Sequence, residues 1–206
     1  DLGCVRAEMF DKKGSTRHFK AAMSLAEKLN DMPERIRIWN DRAFHYLLWS
    51  QPKKALEFAQ KALEAAQRVD DNYEIIHAYG NLAYAYGQLQ DADQALRYGA
   101  LACVLAEKRG DANLVGGCYV YIGLAYSIKE DWDNAIRYLE DGAKFLDHSM
   151  IPLYSIVGRK ELADGLLRKG DREKAREVLQ EAQRLAENIG HGALKKEIAQ
   201  RLQALG

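Results

Sequence analysis

Five histidines, three cysteines and a pair of acids one helical turn apart are the first residues to test for chemistry. His18, His45, His77, His148 and His191 are scattered, with no HExxH and no His/Cys pair at ligand spacing on one helix face. No metal site is expected. Cys4, Cys103 and Cys118 form no CxxC and no paired spacing, and read as reduced thiols packed as small apolar residues. Glu161 and Asp164 share a helix face at i,i+3, as an acid/base pair would, yet Lys160 and Arg168 surround them. That pattern is expected to be a solvated ion-pair face. Gly116-Gly117 lies inside a helical pattern, and nothing resembles the GxxxxGK(S/T) loop that cradles phosphates. Nothing suggests a serine or cysteine nucleophile either. The chain is therefore read as a non-enzyme with no catalytic residue and no cofactor.

The composition narrows the partners. Over 206 residues, 30 basic side chains balance 30 acidic ones, with 48% hydrophobic and 29% charged residues. This is globular composition. It lacks the basic surplus that phosphate binding needs, so nucleic acid is not expected as a partner. No stretch approaches the roughly 20 apolar residues of a membrane span, and no signal peptide is seen. A cytoplasmic protein without a membrane partner is expected, and a first residue of Asp1 reads as an excerpt from a longer chain. Only three prolines leave room for long helices.

The elements that position these residues repeat. Ala55, Ala95, Ala135 and Ala175 recur at an interval of 40, as do Ala62, Ala102, Gly142 and Ala182, and Ala43, Ala83, Gly123 and Ala163. Larger residues keep step: Trp39, Tyr79 and Tyr119; Tyr46, Tyr86, Tyr126 and Leu166; Phe58, Tyr98, Tyr138 and Val178. Inside this period runs a grid of 20, carrying Asp11, Asp31, Asp71, Asp91, Asp111, Asp131 and Asp171. Asp accepts hydrogen bonds from the free N–H groups of a helix start and suits its positive end. Gln51, Ile151 and His191 fill the gaps, and Pro52 and Pro152 follow the first two. The grid predicts a helix in every interval and a helical hairpin in every unit of 40. Small residues in register let the paired backbones approach, and neighbouring hairpins complete one another's core.

These columns resemble the tetratricopeptide repeat. Tyr79, Leu82-Ala83, Tyr86, Ala95 and Ala102 fit its pattern, as do Tyr119, Ile122-Gly123, Tyr126, Ala135 and Gly142. Trp39, Ala43, Tyr46, Ala55 and Ala62 fit too, with Arg42 where Leu is usual; the next unit keeps Leu162-Ala163, Ala175 and Ala182 but has Arg159 and Leu166 at aromatic positions. Leu2-Gly3, Phe19 and Ala22 supply a truncated first unit. The resemblance implies an all-α, right-handed superhelical solenoid. A single array is expected over 1–206: a truncated repeat at 1–30, full repeats at 31–70, 71–110, 111–150 and 151–190, and a closing helix at 191–206. Leu194, Ile198, Leu202 and Leu205 form one apolar stripe on that helix, which suits a solvating cap or the first half of a further repeat. Forty-residue units resemble arrays in polarity adaptors and in bacterial signalling ATPases and transcription activators.

The resemblance places a binding groove on the first helices. Its positions here are Asn40, Phe44, Leu47 and Leu48; His77, Asn81, Tyr84 and Gln88; Val120, Tyr121, Leu124 and Ile128; and Lys160, Glu161, Asp164 and Arg168. Phe44, Tyr84, Tyr121 and Leu124 are expected to form an aromatic trough or, alternatively, to bury against each other. In the trough reading Asn40, Asn81 and Gln88 hold a partner's backbone and the last unit sets charge register. The family's carboxylate clamp is not expected, because Asn40, Phe44, Asn81, Gly117 and Tyr121 stand where Lys, Asn, Asn, Lys and Arg would. The expected partner is a protein or peptide, other domains of the same polypeptide included, with a homodimer through the truncated repeat as a further option. The alternative function is the sensor arm of a larger signalling ATPase or transcription activator that binds a small effector or its own catalytic domain. The outer faces of the second helices should be polar, except for a patch of Ala100, Leu101 and Val104. Cys103 and Cys118 should be buried, reduced and within one side-chain layer of each other.

Overall fold

The computed structural model describes residues 12–146 and 152–206. The expected features at Leu2-Gly3, Cys4, Asp11, His148 and Ile151 lie outside them. The described residues form ten α-helices and no strand: α1 (Lys12–Lys28), α2 (Met32–Leu48), α3 (Pro52–Arg68), α4 (Asn72–Gln88), α5 (Ala92–Arg109), α6 (Ala112–Ile128), α7 (Trp132–Leu146), α8 (Pro152–Arg168), α9 (Arg172–Asn188) and α10 (Gly192–Ala204). Each begins one residue after a position of the 20-residue grid. The all-α, tetratricopeptide-like class is what the structure shows.

The grid arises because each turn closes one helix and opens the next within a few residues. Asn30, Ser50, Asp70, Gln90, Gly110, Glu130, Gly170 and Gly190 all adopt left-handed backbone, with φ from 52° to 85°. The next residue returns its N–H to the helix just ended: Gln51 to the Tyr46 carbonyl at 2.8 Å, Asp91 to Tyr86 at 3.0 Å, Asp131 to Tyr126 at 3.1 Å. That same residue then caps the following helix. Asp31, Asp71, Asp91, Asp111, Asp131 and Asp171 each accept a backbone N–H two or three residues on. Gln51 makes no side-chain cap and leaves that start to Pro52, whereas His191 caps through Nδ1, 3.3 Å from the Leu194 N–H.

The chain forms two compact units, residues 1–105 and 106–206. In the first, α1 packs on α2, α2 on α3, α3 on α4, and α2 directly on α4. Ile36, Leu63, Ile75 and Leu82 form its core around Ala43, Ala59, Ala62 and Ala78. In the second, α6 packs on α7 and α8, α7 on α8, α8 on α9, and α9 on α10. Its core joins Val120, Leu139, Ile156, Leu162, Leu179 and Ile198. Full burial of each large aliphatic side chain stabilises by about 1.5–3 kcal/mol.

The small columns set the helix spacing. A Cβ on Gly142 would lie 3.1 Å from the Gly116 carbonyl oxygen, and one on Gly116 3.2 Å from that of Gly142, so α6 and α7 touch backbone to backbone. The aromatic columns pair across three of the hairpins as stacked rings: Tyr46 on Phe58 at 5.4 Å, Tyr86 on Tyr98 at 5.6 Å and Tyr126 on Tyr138 at 5.6 Å. Arg42, out of pattern in the sequence, lays its guanidinium 4.0 Å from the centre of the Phe58 ring. On α10, Ile198 and the following Leu205 are buried while Lys195, Lys196, Gln200 and Gln203 face water. Arg172 and Arg176 of α9 donate to the Leu205 carbonyl at its C-terminal end.

Candidate functional site

In the first unit the predicted site residues lie on α2 (Asn40, Phe44, Leu48) and α4 (His77, Asn81, Tyr84, Gln88). Their amides are used between the two helices. Asn40 Nδ2 donates to the Glu74 carbonyl at 3.0 Å and to Glu74 Oε2 at 2.7 Å; Asn81 Nδ2 donates to the Asn40 carbonyl at 3.0 Å; Gln88 Nε2 donates to the Leu47 carbonyl at 3.0 Å. Asn40 and Asn81 are buried, each 4% exposed. These donors were expected to reach a partner's backbone, and they bind the neighbouring repeat instead. Burial, partly offset by the Asn40 hydrogen bond, pushes the Glu74 carboxyl above the usual carboxylate range. Phe44 and Leu48 are half-buried, Tyr84 packs half-buried on Leu47, Ala55 and Ala85, and His77 meets the exposed Tyr73 edge-on at 4.6 Å.

In the second unit Tyr121 is 6% exposed and meets Tyr154 edge-on at 5.7 Å, so at this position the side chain is buried rather than open. Leu124 and Ile128 are half-buried. The charged residues of α8 pair largely with α10. Lys160 lies 2.6 Å from Glu197, and Arg201 Nη1 donates to both Asp164 oxygens at 2.8 and 2.7 Å. Arg168 sits 5.7 Å from the Trp132 ring. Glu161 is half-buried, and burial, then the charge of Asp164, pushes its carboxyl up. A cleft of about 460 Å³ between α8, α9 and α10 includes Asp164, Arg172 and Arg201 in its lining.

Elsewhere Leu101 and Val104 of α5 are 40% and 63% exposed beside exposed Ala100, while Lys53, Lys54, Glu57, Lys61 and Glu64 of α3 face water. Cys103 and Cys118 are both buried and form no disulfide, one in each unit. Among the described residues no group of three His, Cys, Asp or Glu side chains could hold a metal, and no helix is long and apolar enough to cross a membrane.

The family model described as Tetratricopeptide repeat matches residues 34–108. Those residues are tetratricopeptide repeats. Solved structures extend the fold over the chain. A Rap protein complexed with Competence and Sporulation Factor superposes with a TM-score of 0.78 at 15% identity, covering 98% of this chain and 62% of that one. BtubC (BKLC) from P. vanneervenii gives 0.65 at 21% identity, covering 91% and 78%. A signal transduction ATPase of the STAND class with a tetratricopeptide repeat sensor, from Pyrococcus horikoshii, gives 0.61 at 20% identity, covering 87% and 28%. At these identities the likeness is one of fold. The comparison with curated proteins gave no match.

With the repeat register established, the residues that sequence reasoning passed over can be placed. Glu74 accepts the Asn40 amide in this ladder, and its signal was an acid among Tyr73, Ile75 and Ile76 at the start of a helix with no other Asp, Glu, Lys or Arg. Glu197 and Arg201 lie outside the apolar stripe of α10; their spacing of one helical turn matches that of Lys160 and Asp164 on the preceding first helix.

Proposed function

We propose that this tetratricopeptide-repeat chain is a non-catalytic protein-interaction scaffold that holds a peptide or helix of a partner against its first helices. The observation that carries this reading is the division of labour on those helices. Their amides and charges bind neighbouring repeats, while Phe44, Leu48 and Tyr84 in one unit and Leu124 and Ile128 in the other stay partly exposed. Contact would then be apolar and aromatic, with His77 at its edge and Asn40, Asn81, Gln88, Lys160, Asp164 and Arg168 stiffening the surface. The Rap protein of similar fold is complexed with Competence and Sporulation Factor, which supports ligand binding as a use of this fold.

The test is selection of a displayed random-peptide library on the whole chain, followed by binding assays of the enriched peptides. Ala at Phe44 and Tyr84 together should weaken binding at least about tenfold, the order of one or two lost contact side chains, with circular dichroism unchanged. Absence of any enriched peptide, or unchanged affinity in a folded double variant, would overturn the reading. The tetratricopeptide sensor of the similar STAND ATPase supports a second reading, the sensor arm of a larger protein. A nucleotide-binding or DNA-binding domain encoded beside this segment would favour it.

A further inference from the structure

His45 breaks the repeat in a way that the binding surface does not explain. It is 8% exposed, and its Nδ1 is buried without a hydrogen-bond partner. Its ring meets Phe19 of α1 edge-on at 5.0 Å and Trp49 at 5.6 Å. In the register of His45 the later repeats have Ala85, Ala125 and Gly165. In the register of Thr16, on the preceding second helix, they have Leu56, Leu96 and Ile136. Where α7 meets α8 these two columns touch: a Cβ on Gly165 would lie 3.1 Å from Ile136 Cγ1. The α1–α2 junction has thus moved bulk from one helix to the other, and the side chain that carries it is an imidazole.

We propose that this junction is an acid-sensitive latch, in which protonation of His45 releases α1 from α2. The neutral ring can be buried at the cost of one unsatisfied nitrogen, whereas the imidazolium has two donors and a charge to hydrate. Arg17, His18 and Lys20 of α1 are exposed. On α2, Asp41 lies 3.7 Å from Arg37 and Arg42 lies over Phe58; on α3, Lys54 lies over Tyr46 and Lys53 is exposed. None of these offsets the burial, which holds the His45 pKa below its ordinary value. The sign follows. A group that binds its proton less readily when packed contributes stability above its unpacked pKa, about 6.5 for histidine, and loses it as pH falls toward the packed value. Over that window the ratio of closed to open α1 falls up to about tenfold per pH unit. Opening would uncover Phe19, His45 and Trp49 beside Phe44 and Leu48, so acid would change the apolar surface at one end of the first unit.

The experiment is hydrogen exchange of the whole chain at about pH 7.5, 6.5 and 5.5, corrected for intrinsic rates, with α9 as internal reference. Protection of α1 should fall by up to about tenfold relative to α9 from pH 7.5 to 5.5, most of it between the two lower values, and His45→Phe should abolish the fall. Unchanged α1 protection in the native chain, or the same fall in His45→Phe, would overturn the proposal. If His45→Phe does not fold, NMR titration of the native His45 ring decides. Its apparent pKa should lie below the ordinary value, with α1 amide signals lost in the same step; titration at the ordinary value with α1 intact would refute the latch.

Discussion

Gly123 is the position where the packing of the repeat can be tested most sharply. A Cβ there would lie 2.6 Å from Leu139 Cγ, 2.9 Å from its Cδ2 and 3.3 Å from the Ala135 carbonyl oxygen. Leu139 is fully buried, so it has little room to withdraw. In the same register the second repeat pairs Ala43 with Ala59 and the third pairs Ala83 with Gly99. Gly123→Ala should gain about 1 kcal/mol of helix propensity and lose about 1–3 kcal/mol to overpacking, for a net cost near 1 kcal/mol. Leu139→Ala alone removes a buried side chain opposite a glycine and should cost about 3 kcal/mol. The double variant re-creates the Ala–Ala pair of the second repeat. It keeps the propensity gain and avoids the clash, so about 2 kcal/mol is expected against an additive sum of about 4 kcal/mol. Urea unfolding of the four proteins, followed by circular dichroism, measures this coupling. Additivity within about 0.5 kcal/mol, or a full 1 kcal/mol stabilisation by Gly123→Ala alone, would show that this contact does not set the helix spacing.

Four other substitutions test the turns and the buried acid. Gln90 and Glu130 hold left-handed backbone at φ of 63° and 59°, so Gln90→Gly and Glu130→Gly should each raise the urea midpoint, by about 0.5–1 kcal/mol in stability, while Gly110→Ala should lower it by a similar amount. Glu74 has a raised pKa in the fold, so what it contributes to stability is fully present below the ordinary carboxylate value and is lost as pH rises through the raised one. Glu74→Gln keeps an oxygen for Asn40 and should therefore raise the urea midpoint at neutral pH, with the gain shrinking as the medium is acidified through that window.

The helix order was legible because the turn chemistry is local. An Asp that closes one turn and caps the next helix recurs every 20 residues, and its two hydrogen-bonding tasks involve only residues within five positions. The stacked pairs Tyr46–Phe58, Tyr86–Tyr98 and Tyr126–Tyr138 were visible as columns but not as pairs, since the register reveals period and not orientation. His191 shows the same limit from the other side. It occupies the capping position of the grid, yet its Nδ1 acts as an acceptor only in one tautomer, which the fold selects.

The candidate face was less legible, and the reason lies in what neighbouring first helices do to each other. A column read along the chain tells which side chains share a face, but α2 and α4 lie close enough for an Asn on one to reach a carbonyl on the other. At that distance an amide on the presumed groove is more stable bonded to the next repeat than left to water and a passing ligand, because a buried donor without a partner costs about 1–3 kcal/mol. The same logic holds for Lys160 and Asp164, whose partners sit on α10. Side chains without donors or charge have no such alternative. Phe44, Leu48, Leu124 and Ile128 can gain further burial only by covering with another apolar surface, and this makes recognition through them a matter of shape and apolar area, with the polar ladder fixing the spacing of the helices that present them.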